Sequence, residues 1–63
     1  MKTYVVYIYE AEYYDWRTIS THNTLSEALK YINHLETIIH VYDMGNYVDV
    51  VTESNNDYRI ETV

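Results

Sequence analysis

Sixty-three residues can form one domain, and a chain this short buries only about 60% of the surface that its unfolded form exposes. Ten acidic residues against four basic ones give a net charge of −6, which argues against direct binding to nucleic acid or to an anionic membrane surface. With no cysteine there is neither a disulfide framework nor a thiolate metal site, and no run of about 18 apolar residues is available to span a bilayer.

Near the start, Lys2 is followed by alternating tyrosines and valines, then Glu10 and Glu12, which lacks the pattern of a signal peptide; a cytoplasmic location is expected. Residues 3–12 (TYVVYIYEAE) read as a long strand, rich in β-branched and aromatic residues. One face carries Tyr4, Val6, Ile8, Glu10 and Glu12, the other Val5, Tyr7, Tyr9 and Ala11. Apolar residues on both faces point to an internal strand or one covered on both sides. Tyr13, Tyr14 and Asp15 make a turn, and residues 16–21 return as a second strand with Trp16, Thr18 and Ser20 opposing Arg17 and Ile19.

Thr24-Leu25-Ser26-Glu27 is a capping box, in which the threonine hydroxyl satisfies a free amide of the first helical turn. Leu25, Ala28, Leu29, Ile32, Leu35 and Ile39 follow at helical spacing, with Lys30, Asn33, His34 and Glu36 on the solvent side. The stripe predicts a helix from Leu25 to Tyr42, with Gly45 as its left-handed stop. The alternative ends the helix near Glu36 and makes the β-branched residues 38–43 an extra strand. Residues 47–53 alternate cleanly, Ser54-Asn55-Asn56-Asp57 is a turn by composition, and residues 58–63 close as a final strand. The expected architecture is α+β: one helix on an antiparallel sheet in a two-layer ββαββ domain.

Catalysis needs a nucleophile, a base or a metal held in a pocket. The chain has no glycine-framed serine and one glycine in all, too few for a phosphate-cradling loop. His22, His34 and His40 are the candidate metal ligands besides carboxylates; the Glu36–His40 spacing of four is common on solvated helix faces. Glu10 and Glu12, on one strand face about 7 Å apart, suit acid–base work on glycosides. A domain with a single helix, however, lacks the walls of a substrate cleft. Neither an enzyme nor a cofactor or metal protein is expected.

Nine tyrosines, one tryptophan and no phenylalanine point elsewhere, because tyrosine joins a large apolar body to a hydroxyl that can stay wet. One helix covers one sheet face. If that face is Tyr4, Val6, Ile8, Val48, Val50, Tyr58 and Ile60, the open face carries Val5, Tyr7, Tyr9, Tyr47, Val51 and Val63 among Asp49, Glu53, Arg59 and Glu61. If the first strand packs the other way, Tyr4, Val6, Ile8, Glu10 and Glu12 are displayed. Spaced carboxylates on strands, such as Glu10 with Glu12, Asp49 with Glu53, and Asp57 with Glu61, can imitate a row of phosphates. The candidate partner-binding residues are therefore Tyr7, Tyr9, Glu10, Glu12, Tyr13, Tyr14, Asp15, Tyr47, Asp49, Glu53, Asp57 and Glu61.

In its length, its acidity, its lack of cysteine, proline and catalytic residues, its ββαββ order and its Thr24–Leu29 helix start, the chain resembles the small acidic inhibitors that phages encode against host enzymes. Anti-CRISPR proteins, anti-restriction proteins and uracil-DNA glycosylase inhibitors are of this type. Such inhibitors share no common fold, so the resemblance implies a role and assigns no residue. The role is to block the basic nucleic-acid-binding site of a host protein. A homo-oligomeric accessory protein, self-associating through its tyrosine-rich sheet face as a homodimer, is the other expectation.

Overall fold

A computed structural model describes residues 2–63. Strand propensity and alternation act where the sequence predicts: β1 (Tyr4–Glu10) and β2 (Asp15–His22) form a hairpin, and β4 (Tyr47–Thr52) and β5 (Asp57–Thr62) form another. Between them lie helix α1 (Leu25–Leu35) and a further strand, β3 (Ile38–Asp43). The sheet runs β2-β1-β5-β4-β3 with every neighbouring pair antiparallel, so β1 is internal and the last strand of the chain occupies the centre. The fold is a two-layer α+β domain, and its element order is ββαβββ in place of the expected ββαββ.

The helix to Tyr42 is thus corrected, and the physical reason is local. Thr24 caps the start, its Oγ1 accepting from the Glu27 amide at 3.1 Å. After Leu35 the chain turns extended at Glu36 (φ −152°, ψ 143°), whose N–H still closes on the Ile32 carbonyl at 2.9 Å. The Asn33 side chain then accepts from the Ile38 amide at 3.0 Å, seizing the exiting backbone for a non-helical path. Thr37, Ile38, Ile39 and Val41 are β-branched and lose rotamer freedom in a helix, whereas a strand suits them. Gly45 serves a different turn: at φ +95° it joins β3 to β4, its N–H held by Asp43 Oδ1 at 3.0 Å.

The core lies where helix and sheet meet. Val6, Ala28, Ile32, Val50, Ile60 and Tyr58 are buried, with Tyr4, Ile8, Ile19, Leu25, Leu29, Ile38 and Val48 packed around them. Of the two packings that the sequence allows, the structure has the one that turns Tyr4, Val6 and Ile8 to the helix. α1 rests on β1, β2 and β5 and does not roof β3. Leu35 and Ile39, expected in the apolar stripe, are instead 48% and 60% exposed. No helix among the described residues is long and apolar enough to cross a membrane.

The two ends of the stripe should therefore behave differently. Ile32→Ala is expected to cost about 2–5 kcal/mol, a large part of the roughly 3–9 kcal/mol available to a domain of this size. Leu35→Ala should change stability by under about 1 kcal/mol. Urea unfolding of both variants checks this; a Leu35→Ala loss equal to that of Ile32→Ala would restore the longer helix.

Candidate interaction surface

The sheet face away from the helix is covered by its own side chains. The register aligns Thr18, Tyr7, Arg59 and Asp49 as a row across β2, β1, β5 and β4. The Arg59 guanidinium lies 4.5 Å from the centre of the Trp16 ring and 4.0 Å from that of Tyr47, and its Nε donates to Asp49 Oδ1 at 3.2 Å. Tyr9 meets Trp16 edge to face at 5.2 Å. A cation held between two rings and a carboxylate has its charge answered and its stem sheltered. Tyr7, Tyr9 and Tyr47 are accordingly half-buried, as are Asp49 and Glu61, the latter opposite Val5 and Tyr47. A recess of 210 Å³ remains on this side, lined by Trp16, Tyr42, Asp49 and Asp57 among others.

A bulge explains why Trp16 joins this face and Ser20 does not. Val6 pairs with Ser20 and Tyr7 with Thr18, leaving Ile19 as the extra residue of β2. Trp16 and Thr18, opposite Tyr9 and Tyr7, share the open face. Ser20 shifts to the helix side, where its hydroxyl meets His22 Nε2 at 2.9 Å. His22 in turn packs against Tyr31 at 5.1 Å.

Glu36, expected in solvent, is half-buried and ties the helix end to the β4–β5 turn. Its carboxylate accepts from Tyr58 Oη at 2.5 Å, Asn56 Nδ2 at 2.6 Å and Thr52 Oγ1 at 3.0 Å. The Tyr58 hydroxyl and then the Asn56 amide favour the ionised form and hold its pKa down at about 2. Burial, reinforced by the Glu36 charge, pushes the Tyr58 phenol up to about 12. A negative charge at a helix C-terminus is unfavourable in the helix field, and these three donors offset it.

The strand ends gather most of the remaining carboxylates. Glu10, Glu12 and Asp15 sit at the β1–β2 turn, and β1 closes against β2 with Glu10 opposite Asp15. The pairing of Ile8 with Tyr58 brings Asp57 to the same end, and the Glu53 amide bonds the Thr37 carbonyl there at 3.0 Å. With Glu36, six of the ten carboxylates line one end of the domain, across a sheet about 19 Å wide. Arg17 Nε answers Glu10 at 2.9 Å. Among the described residues no ion pair answers Glu12, Asp15, Glu53 or Asp57, all of them exposed. Tyr13 and Tyr14 stand on the hairpin tip at this pole, 69% and 85% exposed. Tyr14 holds φ at +53°, a left-handed conformation that costs a bulky residue about 1–2 kcal/mol.

The twelve candidate residues thus divide. Glu10, Glu12, Tyr13, Tyr14, Asp15, Glu53 and Asp57 come together at the acidic pole, while Tyr7, Tyr9, Tyr47, Asp49 and Glu61 belong to the open face. Glu12 lies in the turn beyond the end of β1, so the paired-carboxylate strand face of Glu10 and Glu12 does not form. His40 is on β3 against Tyr42 at 4.2 Å, so the helical Glu36–His40 pair does not form either. Among the described residues no group of three His, Cys, Asp or Glu is placed to hold a metal ion. Sequence reasoning missed the Arg59 clamp and the Glu36 anchor. Register would have located the first, and ending the helix at Leu35 the second.

Because the Glu36 pKa is lowered on folding, its contribution to stability is full above the ordinary value of 4.5 and is lost as pH falls through about 2. Glu36→Gln should therefore flatten the acid limb of the stability profile between those values and destabilise the domain at neutral pH by about 1–3 kcal/mol. Thermal melts from pH 2 to 7 check both; an unchanged acid limb would mean that the anchor contributes nothing. Compared with protein-family models, curated proteins and solved structures, the chain matches none.

Proposed function

We propose that this chain is a non-enzymatic, phage-type inhibitor that binds a basic, nucleic-acid-binding surface of a host protein through its acidic pole. One observation carries the reading: four carboxylates with no ion pair among the described residues, Glu12, Asp15, Glu53 and Asp57, share one end of the domain with its two most exposed aromatic residues, Tyr13 and Tyr14. The carboxylates steer a lysine- or arginine-rich surface to the pole and stand where phosphates would stand on such a partner. The tyrosines supply large, stiff anchors that can be desolvated at the centre of a contact. Tyr14 supports a role beyond folding, since glycine or asparagine would meet the demand of that turn at lower cost.

Two kinds of variant separate binding from folding. Tyr14→Gly relieves the left-handed strain and should keep or raise stability, by up to about 1 kcal/mol. Tyr13→Ala with Tyr14→Gly should still weaken capture of the partner by about 2 kcal/mol or more, roughly thirtyfold. Reversing Glu12, Glu53 and Asp57 to lysine should slow association about tenfold or more at low salt. The experiment is a pulldown from bacterial lysate, with release by salt and by added DNA, followed by kinetics on the captured protein. Capture that resists both salt and DNA, or that survives all these changes, contradicts the proposal.

A further inference from the structure

The two edges of the sheet are built differently. β2 displays Asp15, Arg17, Thr18 and Thr21, and its bulge at Ile19 falls in mid-strand. Charges and mid-strand bulges are the usual protection of an edge against pairing. β3 has neither. Ile39, Val41, Tyr42 and the following Met44 are exposed, and Asp43 is its one charged residue. Its irregularity lies at the start, between Ile38 and His40, so His40–Asp43 runs regularly along β4. The far side of that run offers unpaired backbone N–H and C=O groups beside apolar side chains.

We propose that two copies of this chain pair along β3, edge to edge and antiparallel about a two-fold axis, joining their sheets into one of ten strands. Charge decides for a second copy and for this orientation. A chain of net charge −6 meets itself most easily along its least charged border, and β3 is that border. The acidic pole lies at the start of β3, so antiparallel pairing sends the two poles to opposite ends. A strand of six residues separates them by about 20 Å, beyond the Debye length of about 8 Å at physiological salt. A parallel arrangement would bring them together.

Register follows from the pleat. Opposed residues must point to the same side, which allows a two-fold at His40 or at Val41 near the middle of the strand. The first stacks imidazole on imidazole. The second sets Val41 against the Val41 of the other copy and His40 beside its Tyr42, repeating between copies the His40–Tyr42 contact present within each strand. The Val41 register is therefore the one assigned. It also continues the sheet past Ile38, which lines a 460 Å³ apolar groove with Leu25 and Leu29 where the helix stops short.

In this register Asp43 opposes Ile39 of the other copy and no two like charges face each other; the contact is distinct from the acidic pole, so it stands or falls independently of the proposed inhibitory function. Sedimentation velocity over a concentration series, at low and high salt, is expected to show a dimer whose affinity is insensitive to salt. Val41→Lys, which opposes like charges at the axis, should weaken it about tenfold or more, with circular dichroism confirming the fold. Because the chain has no native cysteine, Val41→Cys should give a disulfide-linked dimer on mild oxidation, and Thr18→Cys on the β2 edge should not. The cysteine result stands even if the lysine variant fails to fold. A monomer at every concentration overturns the proposal, as does a dimer in which Val41→Cys fails to cross-link.

Discussion

One short helix has to roof a five-stranded sheet, and the rest of the molecule follows from that mismatch. Eleven helical residues make a rod about 16 Å long and 10 Å wide, set on a sheet of similar width with a second face to cover. α1 settles on β1, β2 and β5, where Val6, Ile32 and Ile60 close the core. Three borders are left over: the opposite sheet face, the end where helix and strands finish, and β3. Each is handled by different chemistry.

The opposite face is covered by large amphipathic side chains in place of a second layer. Arg59 between Trp16 and Tyr47, with Asp49 as counter-ion, lets tyrosine rings lie down over the strands while their hydroxyls stay wet. Much of the tyrosine content is thus structural. At the helix end, Glu36 binds Thr52, Asn56 and Tyr58 into one network, so Glu53 and Asp57, which flank that turn, stand on a fixed base. A charged surface held in place loses less entropy when a partner arrives than one carried on mobile loops. The fold thereby joins an acidic end to an edge with a single charge, Asp43.

The α+β class, both hairpins and the helix start are legible in the sequence, because alternation and capping are local signals; which face of the first strand meets the helix is not, because both faces are apolar. Nor is the helix end. Ile39 fits the helical stripe and also fits a strand, and the deciding contact, Asn33 to the Ile38 amide, becomes visible only in three dimensions. The grouping of Glu53 and Asp57 with Glu10, Glu12 and Asp15 depends on strand order, since β5 must lie beside β1 for those ends to meet. The alignment of Trp16 and Arg59 over one face depends on the registers of β2 and β5 against β1, which single-strand patterning cannot place.

On the proposed reading, contact with a partner falls on the pole and not on the aromatic sheet face. The footprint of the captured partner on isotope-labelled protein, read by NMR from amide broadening, tests it most directly. Broadening is expected at residues 11–15 and 53–57, with Tyr7, Tyr47 and Arg59 unchanged. Broadening centred on Tyr7, Tyr47 and Arg59, with the hairpin tip undisturbed, would contradict it.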